Sequence, residues 1–440
     1  MWRRRTRRAD RSPVDGSIER MLRKLYAQWM YAWETRLTTR DTNRVVRPLE
    51  WGFDWLADWI GAADLPIRDA LASEDPALLK QAMFTVNEHI IANHEQFYSY
   101  ETPQDFRLEE RHPQLFPTNV RPETLRQDAE LKQKAAQGRL PRAQFLRFTS
   151  PIRTPYPEND QVNARWYPAS EHRTAGRPKQ AIIVMPQWNA DAFSHNALCS
   201  IFNRFGVSAL RLSKPFHDIR RPAELERSDY AVSANIGRTI VSCRQAVVDI
   251  RSCLDWLEQQ GYEQFGVLGT SLGSCYAFIA SAFDARLRVN TFNHASTWVG
   301  EVVWTGQSTR HVREACEQAG LTRQDLRMLW SGVSPMVYMD RFAGITPEQQ
   351  ASGWPKKLVR VIYAPYDLTF LREFSEDVLR QFSQRGIEFD AKVLPCGHYT
   401  TGETPYKYMD GWYMGSFVYN SFRALAEEAR GQNISTKQAD

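Results

Sequence analysis

Gln264-Phe265-Gly266-Val267-Leu268-Gly269-Thr270-Ser271-Leu272-Gly273 joins a short apolar strand to a G-x-S-x-G pentapeptide. Gly261 stops a helix just before it, and Cys275, Ala277, Phe278, Ile279 and Ala282 form a compact apolar helix just after it. A serine on such a strand-to-helix turn holds its hydroxyl above the sheet, over a helix N-terminus that favours negative charge. Gly269 and Gly273 permit the turn, because a larger side chain at either would collide with the neighbouring strand or helix. Ser271 is therefore the expected nucleophile; the bland alternative is a glycine-rich turn.

Upstream, Ala181–Met185 and Gly206–Leu212 are apolar strands flanking a helix from about Ala192 to Phe205. Phe145–Thr149 and Val162–Tyr167 pattern as a hairpin with a proline-rich connection. A long amphipathic helix, Ile236 to Gln260, leads into the strand before Ser271. Downstream, Arg288–Phe292, Leu358–Tyr363 and Phe389–Leu394 are further strands. Strands alternating with helices imply an α/β fold: a mostly parallel central sheet with helices on both faces and chemistry at the strands' carboxyl ends.

The 440 residues, 42% hydrophobic and 24% charged, suffice for one large core plus a smaller attached region. The net charge of +5 gathers at the front, in Arg3, Arg4, Arg5, Arg7, Arg8 and Arg11. No apolar h-region follows these arginines, so they read as a disordered basic leader, not an export signal. No stretch has the uninterrupted apolar length of a membrane span. Six cysteines without a C-x-x-C pair fit buried thiols of a reducing, cytoplasmic setting. Nine scattered histidines without metal-ligand spacing point to no metal, and nothing points to a cofactor or to nucleic acid.

The N-terminal residues 1–140 read as a helical extension, with an apolar stripe at Ile18, Met21, Leu22, Leu25, Tyr26, Trp29, Trp33 and Leu37. Trp51, Trp55 and Trp59 follow at helical spacing. Such helices pack on the catalytic domain or a twin subunit, as in a homodimer, or lie on a membrane surface; packing is the favoured expectation. Residues 141–426 form the catalytic domain, and 427–440 a disordered tail. Residues 296–342 are too long for a strand connection and read as a helical lid insertion. The insertion's tryptophans and aliphatics suggest an acyl or aromatic substrate group rather than a highly charged one.

A serine needs a base, and the base an orienting acid, in the chain order serine, acid, histidine. His398, in Cys396-Gly397-His398-Tyr399 after the last strand, is the expected base, whereas His311 falls in a helical stretch. Asp367 stands in a strand-end loop and is the expected acid, ahead of Asp340, Glu376 and Asp377. Oxyanion donors are expected from the backbone N–H of Leu272 and of Gln187 or Trp188, since Pro186 has none. His217 and His294 lie at strand ends and stay outside the catalytic set.

From about Pro141 to Ala426 the sequence resembles the alpha/beta-hydrolase superfamily. More narrowly, it looks like bacterial relatives of the alpha/beta-hydrolase domain-containing protein 18 group, on Arg211-Leu212-Ser213-Lys214-Pro215-Phe216-His217-Asp218 with Arg220-Arg221-Pro222, and on Gly397-His398-Tyr399-Thr400-Thr401-Gly402. Many relatives have His-Gly where this chain has Pro186-Gln187. The resemblance implies carboxylic-ester or lipid-acyl hydrolysis without a cofactor. Acyl transfer by the same residues, and a non-catalytic scaffold binding a ligand or partner, are the competing readings.

Overall fold

The computed structural model describes residues 13–174 and 176–437. The basic leader expected at Arg3 to Arg11 lies outside them. Among the described residues nine strands form one sheet: β1 Arg107–Arg111, β2 Ala143–Thr149, β3 Gln161–Tyr167, β4 Gln180–Met185, β5 Val207–Leu212, β6 Gln264–Thr270, β7 Leu287–Asn293, β8 Leu358–Tyr363 and β9 Asp390–Val393. Their order is β1-β2-β3-β5-β4-β6-β7-β8-β9. The pairs from β1 to β5 are antiparallel, and every pair from β5 through β4 to β9 is parallel.

Strand alternation divides the core into two layers. Ala181, Ile183 and Met185 of β4 join one apolar cluster, with the helices Ile236–Gln259 and Leu272–Phe283. Ile182 and Val184 face the other, with Leu198, Phe202, Met414, Val418 and Phe422. The helix before β6 starts where Asn235 caps it, its side chain accepting from Arg238 N at 2.8 Å.

Three boundaries differ from the sequence expectation. β1 lies inside the expected helical extension; its Arg-Leu-Glu-Glu-Arg sequence is that of a charged edge strand, which carries little hydrophobic periodicity. Leu56, Trp59, Met83, Val86, Ile90 and Phe97 share the main cluster with the sheet, so residues 50–100 extend the core of the sheet domain. The last helix, Tyr406–Lys437, continues through most of the expected tail. The insertion after β7 is helical as expected, and Asn87 ties it to the N-terminal region, donating to Leu329 O at 2.8 Å and accepting from Gly332 N at 3.0 Å.

The N-terminal helix, Pro13–Thr39, splits its stripe along its length. Met30 is fully buried in the second cluster, and the Tyr26 hydroxyl donates to Pro395 O beside Tyr406. Met21, Leu22, Leu25 and Trp29 stay more than half exposed. Packing on the domain thus holds for the second half of the helix. No helix among the described residues is long and apolar enough to cross a membrane.

That split predicts opposite outcomes from similar truncations. Met30→Ala should lower unfolding free energy by about 2–5 kcal/mol, as for buried large-to-small changes. Leu25→Ala should stay within about 0.5 kcal/mol of wild type. Urea unfolding curves distinguish the two; equal losses would contradict the packing.

Candidate active site

Ser271 stands where β6 turns into the helix Leu272–Phe283, with φ of 58° and ψ of −123°. A non-glycine residue tolerates such a backbone only when its surroundings impose it. Here Ser271 N donates to Asn293 O at 2.7 Å, tying the turn to the end of β7. A Cβ at Gly269 would strike the Gly273 backbone, and one at Gly273 would strike the carbonyls of Met185 and Pro186. The absent side chains let β6, its helix and the end of β4 close on one another, which brings the loop after β4 beside the serine.

Asp367, in the loop after β8, is buried and receives four hydrogen bonds. Thr369 N and Phe370 N donate to Oδ1, both at 2.7 Å, and the Nδ1 atoms of His398 and His294 both reach Oδ2 at 2.9 Å. Burial works against its charge, but the His398 charge and the imidazole hydrogen bonds hold the carboxyl well below its usual range. His398 is pushed the other way. Burial disfavours its cation, yet the charge and hydrogen bond of Asp367, with the charge of Glu34, raise its pKa above the ordinary value.

The two imidazoles differ in their second nitrogen. His294 Nε2 faces the Thr401 hydroxyl at 3.3 Å, and burial lowers its pKa. His398 Nε2 meets no hydrogen-bond partner among the described residues, and the ring stacks on Phe370 at 5.5 Å. With Nδ1–H held by Asp367, Nε2 of His398 is the basic atom. The expected acid and base are thus in contact, and a chain of bonds links them to the serine turn. His294 carries Asp367, its carbonyl accepts from Ser274 Oγ at 3.0 Å, and Ser271 N bonds the adjacent Asn293. Of the other candidates, Asp340 pairs with Arg385 at the surface and Asp377 accepts from Thr297.

Glu34 of the N-terminal helix is the residue the sequence reading missed. Its carboxylate is fully buried and accepts from Tyr399 N at 2.8 Å, Thr400 N at 2.9 Å and Thr400 Oγ1 at 3.0 Å. It therefore holds the loop that carries His398. Burial and the nearby Asp367 charge raise its pKa, against the lowering effect of those backbone bonds. The sequence signal was a lone acid on the packed face of an apolar stripe.

Leu272 opens the helix after the serine, and neither Gln187 N nor Trp188 N donates to another group among the described residues. The loop holding them is braced from the quoted Arg211–Asp218 motif. Lys214 Nζ donates to Gln187 O at 3.0 Å. His217 accepts from Asn189 N at 3.2 Å through Nε2 and bonds Pro215 O through Nδ1 at 2.8 Å. His217 thus props the loop and has no free nitrogen for chemistry. Buried pairs Arg211–Asp218 and Arg220–Asp249 fix the motif beneath.

Ligand atoms of His294, Asp367 and His398 lie within 4.8 Å of one another, so they are the group able to hold a metal among the described residues. A cation there would have to replace two existing N–H···O bonds to Asp367. A cavity of about 320 Å³, lined by Arg111, Arg142, Arg165 and Arg211, includes none of the candidate catalytic residues.

No family model matches the sequence, and no curated protein matches it. Solved structures do match in fold. Acetyl xylan esterase 1 from Thermoanaerobacterium sp. JW/SL YS485 aligns with a TM-score of 0.50 at 12% identity, over 76% of this chain and 93% of that chain. A Pyrococcus horikoshii acylaminoacyl peptidase gives 0.46 at 9% identity, over 63% of this chain and 46% of that one, so the chain spans under half of that enzyme's length. A thermostable carboxyl esterase from Bacillus coagulans gives 0.43 at 14% identity, over 63% and 98%. The chain has the alpha/beta-hydrolase fold.

Glu34→Gln keeps an acceptor for the loop but removes a charge that raises the His398 pKa. A base works when neutral, so the acid limb of kcat/KM should move to lower pH in this variant. Glu34→Ala should instead lower kcat by about ten- to a hundredfold by loosening the loop. Profiles of 4-nitrophenyl acetate hydrolysis between pH 5 and 9 check both.

Proposed function

We propose that the chain is a serine hydrolase that cleaves a carboxylic ester through Ser271, His398 and Asp367. One observation carries the reading: His398, oriented through Nδ1 by a buried carboxylate, leaves Nε2 unbonded at the same strand ends as a strained serine turn. In this reading Ser271 Oγ attacks the ester carbonyl carbon while His398 Nε2 takes its proton. The oxyanion meets N–H donors of Leu272 and of Gln187 or Trp188, and the helix N-terminus beneath adds to the field. His398 then passes the proton to the leaving alkoxide, and an acyl-enzyme remains. Water, deprotonated by His398, attacks the acyl carbon; the acid leaves and the proton returns to Ser271.

Asp367 acts by orientation and charge. It keeps Nδ1 protonated, so Nε2 faces the nucleophile, and it stabilises the imidazolium formed in each step. His294 supports that role by fixing the shared oxygen. Transfer of the acyl group to another alcohol uses the same steps with a different acceptor.

Ser271→Ala should cut turnover of 4-nitrophenyl acetate by about a thousandfold or more and abolish labelling by a fluorophosphonate probe. Asp367→Asn should also lose about a thousandfold or more, because an amide favours the wrong imidazole tautomer, while Asp340→Asn should change little. A near-wild-type rate in purified Ser271→Ala would overturn the proposal.

A further inference from the structure

Five segments converge beside the proposed catalytic residues, and arginine dominates their side chains. They are the coil from Asp41 to Arg47, the loop after β4 with Trp188, the turn holding Arg227, the insertion's Arg310 and His311, and Tyr399 next to His398. The Trp188 ring stacks on His311 at 5.9 Å and 7°, and the Arg227 guanidinium lies over Trp188 at 5.8 Å. The Trp188 indole N–H is anchored on Ser228 O at 2.9 Å, so the stack is held from both sides. The cluster adjoins the reaction centre: Trp188 belongs to the candidate oxyanion loop, and the Tyr399 ring lies 5.8 Å from that of His398.

The charges do not balance. Arg227 is buried and lies 3.3 Å from Asp229 and 3.9 Å from Asp41, and Asp41 is shared with Arg121 at 3.5 Å. Arg44, Arg47 and Arg310 have no carboxylate within ion-pair distance among the described residues. Arg121 also meets Glu123 at 4.0 Å, and Glu226 bonds Asn43 of the coil at 3.3 Å, so among the described residues the ion pairs left to Arg44, Arg47, Arg227 and Arg310 are the two that Arg227 makes with Asp41 and Asp229. Burial and these arginines push His311 down to about 3, which keeps its ring neutral, with one donor and one acceptor. His311 is more than nine-tenths buried, yet neither ring nitrogen has a hydrogen-bond partner. The Nε–H groups of Arg44 and Arg47 are likewise buried and unpartnered. A structural ion-pair network pairs its charges, and this cluster does not. Converging guanidiniums match the planar oxygens of a carboxylate or phosphate.

We propose that this cluster is an anion-binding subsite, and that the ester cleaved at Ser271 carries a carboxylate or phosphate group received there by Arg44, Arg227 and Arg310. The inference rests on the hydrolase reading above and adds the substrate class to it. It also departs from the expectation, drawn from the insertion's tryptophans and aliphatics, of an acyl or aromatic substrate group rather than a highly charged one: Trp188 and His311 form an aromatic wall, but cations rim that wall.

The test compares three esters with one leaving group: the 4-nitrophenyl ester of monomethyl adipate, mono(4-nitrophenyl) adipate, and the 4-nitrophenyl ester of 6-phosphonooxyhexanoate. The full-length enzyme should favour at least one anionic ester over the neutral one by about tenfold or more in kcat/KM. That preference should shrink as salt rises. The better of the two anionic esters identifies carboxylate or phosphate as the natural group. Arg310→Gln, at an exposed position, and Arg44→Gln should each reduce the anionic-to-neutral ratio severalfold. A ratio near one in the wild type, or a ratio unchanged in both variants, overturns the subsite. Cleavage of the neutral ester with fluorophosphonate labelling of Ser271 would leave the hydrolase reading standing in that case. Failure of cleavage and labelling alike removes both.

Discussion

One carboxylate fixes the geometry of the candidate site. Asp367 is buried, where an ionised acid is costly, and it stays charged because four N–H donors converge on it. Two come from its own loop and set its rotamer. The other two are imidazoles from different strand ends: His294 after β7 and His398 beyond β9. A single side chain therefore registers three loops against one another. Tyr366 N, bonded to Cys396 O at 3.2 Å, adds a backbone tie between the acid loop and the histidine loop. Because His294 spends both nitrogens on this scaffold, His398 is the one of these two imidazoles left with an unbonded nitrogen among the described residues.

The readable parts of the chain were those governed by local rules. Eight apolar or alternating strands and the serine turn follow from period and glycine placement, and the structure places the strands within a residue or two of the expected ends. The contact of Asp367 with His398 was legible because strand-end loops are short and chain order limits the choices. Glu34 was not, since its partner Thr400 lies 366 residues away and helical periodicity marks a packed face without saying what lies across it. β1 escaped notice because an edge strand faces water and carries charges. The stripe of the first helix also misled in part: periodicity identified an apolar face, but only tertiary contact decides which half of that face is covered. The roles of Lys214 and His217 were equally hidden, as both act through the backbone of a loop some 28 residues earlier in sequence.

The N-terminal region is part of the site's machinery, not an appendage. Tyr26 bonds the backbone at Pro395, Met30 fills the core beneath, and Glu34 holds the loop at Tyr399 and Thr400. Successive turns of one helix thus press on the segment carrying the histidine. On the proposed mechanism the histidine loop has to stay ordered while its ring changes charge, and Glu34 supplies that order through Tyr399 and Thr400. The same helix ends at Thr39, and the carbonyl of Thr38 in its last turn accepts from Arg44. Positioning of the histidine and positioning of the arginine rim are therefore mechanically joined.

That joining sorts the charges by function. Behind the His398 ring lie two acids, Asp367 and Glu34, whose charges both favour the imidazolium. On the side of Trp188 and Tyr399 lie Arg44, Arg227 and Arg310, whose charges oppose protonation of His311 and favour anions. On the proposed mechanism a proton arrives at His398 as negative charge develops on the carbonyl oxygen, so the two halves of the transition state separate charge in the direction the protein already separates it. An arginine behind the ring would lower the base's pKa, whereas the acids on the Trp188 side, Asp41 and Asp229, are held by Arg227. The long reach of the first helix across the sheet's carboxyl edge lets one element serve both sides, with Glu34 facing the ring and the coil after Thr39 carrying Arg44 to the rim.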